Sequence, residues 1–99
     1  MDVGDTMGEQ AVEAHVGIIN SRGLHARASA KFVQCTESFD AQVEVTRDGQ
    51  TVCGTSIMGL MMLADATGTS IHISVTGPQA QDALTALTAL INNRFGEEC

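Results

Sequence analysis

The chain has 99 residues, enough for one compact domain and too few for two. Hydrophobic residues make up 43% of it and aromatic residues only 3%, with no Trp or Tyr, so its core must rest on Val, Ile, Leu, Met and Ala. A net charge of −7 argues against a nucleic-acid surface, which needs basic patches and often stacking aromatics, and equally against an anionic membrane surface.

Residues 1–10 are polar, acidic and aperiodic and read as a flexible tail. They lack the basic region and apolar core of a signal peptide. Val12, Ala14, Val16 and Ile18 then alternate with Glu13, His15 and Gly17, the period of a half-buried strand. Residues 20–23 form a turn. From His25 or Ala26 the period becomes helical: Ala28, Phe32, Cys35 and Phe39 share one stripe, and Arg27, Lys31, Gln34 and Ser38 the opposite one. Ala41, Val43 and Val45 alternate in a second strand, Asp48-Gly49 signals a two-residue hairpin, and residues 50–53 return as a third. Thr55-Ser56 resembles an N-cap, followed by the short apolar helix IMGLMML. Within it Ile57, Leu60 and Met61 are spaced to face the core, which leaves Met58 and Met62 either pointing outward or packed under a loop.

After a loop at residues 66–69, Ile71, Ile73 and Val75 mark a fourth strand. Gly77-Pro78 opens the last helix, with Pro78 near its first position. Ala80, Ala83, Leu84, Leu87, Leu90 and Ile91 form its core stripe, and Gly96 its stop. The order β-α-β-β-α-β-α, with one apolar face per strand, predicts an α+β open-faced sandwich whose helices cover a single side of an antiparallel sheet. The pattern leaves the strand order open. It divides the chain into a tail at 1–10, one domain at 11–96 and a short tail at 97–99.

Three cysteines, Cys35, Cys53 and Cys99, without a C-x-x-C, suggest neither a disulfide framework nor a zinc site. His15, His72 and Cys53 lack ligand spacing, so no metal or cofactor is expected. The histidines read as part of a solvated sheet surface, on which they could pair, and Cys35 as a small core hydrophobe. No apolar run approaches the roughly 20 residues of a membrane helix, and a reducing cytoplasm is the simplest compartment.

The stretch NSRGLHARASAKF is the chemical puzzle, because it places basic residues where a helix begins. Backbone N–H groups at such a terminus lack helical partners and carry partial positive charge, which suits phosphate. Arg27 adds a planar, permanently charged donor. Positive potential disfavours imidazolium, so His25 would keep a nucleophilic ring nitrogen, and the same potential favours the anion that a phosphorylated ring becomes. On the residues alone, His25 could equally be a cap or surface residue, with Arg27 and Lys31 on a solvated face.

GLHARASAKFVQ resembles the active-site segment of the HPr family, histidine-containing phosphocarriers of the phosphotransferase system. GTSIMGLMML resembles the regulatory-serine segment of the same family, and the similarity spans most of the chain from about Val12 to Phe95. The resemblance implies strand order 1-4-2-3, phosphorylation of His25 at Nδ1, and assistance from Arg27. It implies that phosphorylated enzyme I, charged from phosphoenolpyruvate, is the donor and an enzyme IIA domain the acceptor. Such a chain is a monomeric carrier without small-molecule turnover of its own. It further implies regulatory phosphorylation of Ser56, by HPr kinase/phosphorylase in the members it resembles, and a partner surface of Ala26, Ile57, Met58 and Met61. Ala28 stands where many members have proline. HARAS resembles the nitrogen-related regulatory branch, implying nitrogen-type enzyme I and enzyme IIA partners. Two other classes compete: a non-catalytic binding module controlled at Ser56, and a ferredoxin-like domain holding a small ligand or metal.

Overall fold

The computed structural model describes residues 11–20, 22–64 and 68–96. The readings made for residues 1–10 and 97–99, Cys99 among them, and for part of the loop at 66–69 lie outside these. Four strands, β1 (Val12–Gly17), β2 (Gln42–Arg47), β3 (Gln50–Cys53) and β4 (Ser70–Thr76), form one antiparallel sheet in the order β1-β4-β2-β3. Three helices, α1 (Ala26–Glu37), α2 (Ile57–Leu63) and α3 (Ala80–Asn92), complete the open-faced α+β sandwich.

Strand alternation decides which face the helices cover. Ile71, Ile73 and Val75 of β4 and Val43 and Val45 of β2 are buried, whereas their neighbours His72, Ser74 and Glu44 stay partly or fully exposed. The inward residues meet Ala28, Phe32 and Val33 of α1, Leu60 and Leu63 of α2, and Ala83, Leu84, Leu87 and Ile91 of α3 in one apolar core. The β2–β3 hairpin turns through Asp48 and Gly49 at φ 53° and 81°, the double positive φ of a type I′ turn.

Three details depart from expectation. Ile57, placed in the core by spacing, is 40% exposed, and Met61 is only half-buried; Leu60 and Leu63 carry the inner face of α2. With six of its seven residues apolar, IMGLMML has no polar stripe by which to orient it. Pro78 lies two residues ahead of α3, in the turn before Gln79. α3 ends at Asn92 rather than at Gly96, and a 3₁₀ turn follows at Arg94–Gly96. There Arg94 and Phe95 both take positive φ. Burial of the Phe95 ring and a 2.6 Å hydrogen bond from Lys31 Nζ to its carbonyl offset that strain.

Gly54 ties the end of β3 to β2, donating to the Val43 carbonyl at 2.8 Å. A Cβ there would lie 2.6 Å from Val43 Cγ1 and 2.7 Å from its Cβ, too close without displacing β2. Gly54→Ala is expected to cost about 1–3 kcal/mol, as overpacking usually does. Urea unfolding measures it, and an unchanged midpoint would mean that β2 yields freely.

Candidate functional site

His25 is the N-cap of α1, with extended backbone at φ −72° and ψ −177°. Its Nδ1 accepts a hydrogen bond from the Arg27 backbone N–H at 3.2 Å. Ser, Thr, Asp and Asn are the usual N-caps, so an imidazole here gives up capping strength for a ring nitrogen held at the amide terminus. Accepting this bond puts the lone pair on Nδ1 and, in the neutral ring, the proton on Nε2. No acidic residue lies in the first turn of α1, so its positive end is not neutralised from within the helix. Ala26 and Arg27 are exposed and His25 is half-buried. The Arg27 guanidinium makes no ion pair with any of the described residues.

The loop that presents His25 is held from several sides. Asn20, fully buried, donates from Nδ2 to the Gly23 carbonyl at 2.7 Å. Gly23 turns the chain at φ 63°, where a Cβ would be strained. The Leu24 N–H donates to the Ala64 carbonyl at 2.6 Å, and the Leu24 side chain is buried. Ser29 N–H closes the first helical bond on the His25 carbonyl at 2.8 Å. Periodicity passed over Asn20 and Ser29 because both are polar; a buried polar residue beside a turn announces itself only through its hydrogen bond.

Ser56 is the N-cap of α2, its Oγ accepting from the Gly59 N–H at 3.0 Å. Gly59 has no room for a side chain, since a Cβ would lie 2.9 Å from Ser56 Oγ and 3.0 Å from Val52 Cβ. Ile57, Met58 at 70% exposure and Met62 at 79% form an uncovered apolar strip on the same helix.

The expected residues thus divide into two groups. His25, Ala26 and Arg27 share one helix terminus. Ser56, Ile57 and Met58 share another, and Met61 is half-buried one turn further on. The two groups are joined where Leu24 binds Ala64, the C-cap of α2. Ser56 lies at the opposite end of that helix, roughly 12 Å away at 1.5 Å per residue.

The remaining histidines lie elsewhere. His15 and His72 face each other across β1 and β4, with ring centroids 4.6 Å apart and His72 Nε2 2.7 Å from Glu13 Oε1. They border a depression of about 450 Å³ on the open face of the sheet, together with Thr46, Arg47 and Asp48. Among the described residues no group of three or more His, Cys, Asp or Glu is arranged to hold a metal ion. Cys53 is exposed, while partial burial pushes the Cys35 thiol up from its ordinary value, as befits a packing residue. No helix among the described residues is long and apolar enough to cross a membrane.

Comparison with known proteins bears on the family and the fold. The family model described as the PTS HPr component phosphorylation site matches residues 12–93. A phosphocarrier protein HPr of Cupriavidus necator is 52% identical over 80 residues, covering 81% of this chain and 90% of that protein. The phosphocarrier protein NPr of Escherichia coli is 39% identical over 88 residues, covering 88% of this chain and 98% of that one. Among solved structures, HPr-C-His of Thermoanaerobacter tengcongensis superposes with a TM-score of 0.84 at 40% identity, covering 89% of this chain and 99% of its own.

Proposed function

The chain belongs to the HPr family of phosphocarriers of the phosphotransferase system, and on that premise we propose that His25 takes a phosphoryl group from enzyme I and passes it to an enzyme IIA domain. The observation that carries this reading is the His25 Nδ1 lone pair, held against the Arg27 N–H at a helix N-terminus whose first turn contains no acid. Before Nδ1 can attack, its 3.2 Å bond from the Arg27 N–H must open, a side-chain rotation that leaves the Cα–Cβ direction unchanged.

In the transfer step the Nδ1 lone pair attacks phosphorus. A new N–P bond forms as the bond to enzyme I breaks, and the electron pair of that bond stays with enzyme I. His25 keeps its Nε2 proton through the step and can then release it to solvent. The Arg27 N–H, freed from Nδ1, donates to a phosphoryl oxygen, so the terminus exchanges a neutral acceptor for a charged one. The Arg27 guanidinium shields the charge as it moves. Delivery to enzyme IIA is the same displacement with the new acceptor as nucleophile. The chain itself turns over no small molecule.

The exposed Ile57, Met58 and Met62, with Ala26 beside His25, supply an adaptable apolar surface for successive partners. Met61, half-buried on the same helix, would add to that surface. Charging from phosphoenolpyruvate, a cytoplasmic metabolite, places the exchange in the cytoplasm. The nitrogen-type assignment of the partners rests on HARAS and the 39% identity to NPr, against 52% for a protein named HPr. Parallel transfer to sugar-type and nitrogen-type enzyme IIA domains decides the branch.

Incubation with enzyme I and phosphoenolpyruvate should yield an acid-labile adduct on His25, located by mass spectrometry at neutral pH. An adduct confined to another residue would refute the assignment.

Ser56 is proposed as a regulatory site, for a kinase such as HPr kinase/phosphorylase. Phosphate at the N-terminus of α2 is locally favourable, so modification would leave the fold intact and set charge beside the apolar strip. Ser56→Asp retains a capping oxygen and should keep stability within about 0.5 kcal/mol. It should weaken enzyme I docking about fivefold, as a misplaced charge at an interface rim does. Titration calorimetry reads the effect, and unchanged docking would leave Ser56 as a cap alone.

A further inference from the structure

We propose that Ser29 is a positioning residue for the transfer step, fixing the imidazole of His25 through the Leu24 carbonyl; this rests on His25 being the phosphoryl acceptor. Ser29 is fully buried on α1, and its hydroxyl donates to the Leu24 carbonyl at 2.9 Å, five residues back. A serine inside a helix ordinarily turns its hydroxyl to solvent or to the carbonyl four residues back. Here it reaches past the helix into the loop that presents the nucleophile.

The consequence is geometric. The Leu24 carbonyl belongs to the same rigid peptide plane as the His25 nitrogen. The Leu24 N–H is already held by the Ala64 carbonyl at 2.6 Å. With Ser29 on the carbonyl, both backbone polar groups of Leu24 are held, one by α2 and the other by α1. The plane entering His25 therefore cannot rock, and the direction of its Cα–Cβ bond is set before a partner arrives. Transfer between two proteins needs the attacking nitrogen in line with the breaking bond, so a loosely held plane lowers the fraction of productive encounters. Ala28, the neighbouring residue, adds no restraint beyond that of an ordinary helical alanine.

The test is the rate of transfer from phosphorylated enzyme I at several donor concentrations. Ser29→Ala should lower kcat about five- to tenfold, the scale of one net hydrogen bond, at unchanged KM. Proline at position 28 offers an independent restraint on the same turn. It fixes φ and sits in the first turn, where its missing N–H leaves no helical bond broken. Ser29→Ala combined with Ala28→Pro should therefore recover kcat to within about twofold of the parent. A merely structural hydroxyl would lower the melting temperature and leave kcat alone, and that result overturns the proposal, as does a change in KM only. Should Ser29→Ala fail to fold, Ser29→Cys, which keeps the volume and weakens the donor, is read by the same criteria. His25→Ala in the same assay separates the two readings. An adduct persisting on it overturns the acceptor assignment, whereas an inert His25→Ala beside an unimpaired Ser29→Ala overturns the positioning role alone.

Discussion

His25→Ala should form no acid-labile adduct under conditions where the parent chain is fully charged by enzyme I and phosphoenolpyruvate. The effect is all or none, because alanine offers no lone pair to phosphorus and the neighbouring groups cannot supply one. Ala26 is aliphatic, and the Arg27 guanidinium offers donors and no acceptor. His15 and His72 carry the other imidazoles, but they lie tilted against each other across β1 and β4, and His72 is engaged by Glu13. They border a depression on the sheet face that the helices leave uncovered. His15→Ala and His72→Ala should accordingly charge at the parental rate. Removing the cap is expected to cost about 0.5–2 kcal/mol, which must be kept apart from the chemical loss. His25→Asn does this, since its side-chain oxygen can accept from the Arg27 N–H while its amide nitrogen is no nucleophile. Both variants should be inert, with His25→Asn close to the parent in stability. Adduct at the parental level on either would dismantle the mechanism.

Much of this architecture was readable from residue order, because each strand has a single apolar face. Val43 and Val45, like Ile71, Ile73 and Val75, alternate cleanly and are buried as period two requires. Asp48-Gly49 identified its hairpin through the one turn type that wants two positive φ values. The order β1-β4-β2-β3 is a different matter: nothing local in β1 states that its neighbour is β4, and only the resemblance supplied it. Orientation of α2 was legible only in part for want of contrast: Leu60 is buried and Met58 and Met62 are exposed as expected, but Ile57 came out exposed. His25 and Ser56 were found because helix termini announce themselves in sequence, and both prove to be N-caps. What holds the His25 loop was invisible. The Leu24–Ala64 bond joins segments brought together only by the fold, and the local bonds of Asn20 and Ser29 leave no mark in a hydrophobic pattern.

Arg27→Ala is expected to slow phosphoryl transfer about a hundredfold, or ~2.7 kcal/mol, the scale on which removal of one preorganised donor acts. Arg27 occupies the second position of α1, is exposed, and has no ion pair with the described residues. Little in the fold depends on it, so its loss should move stability by no more than about 0.5 kcal/mol. That contrast between rate and stability is the signature of a side chain kept for an incoming charge. The chain as a whole carries −7 and repels an anion, so the helix terminus and the basic side chains of this stretch, this guanidinium among them, supply the local positive charge at His25. Arg27→Lys keeps the charge but not the planar fork, and should fall between the parent and alanine. Added salt should narrow the gap between the parent and Arg27→Ala, because a point charge on an exposed side chain is screened within about 10 Å at 0.1 M. Stopped-flow transfer from phosphorylated enzyme I measures all three, and equal rates for parent and Arg27→Ala would leave the helix terminus to stabilise the phosphoryl group by itself.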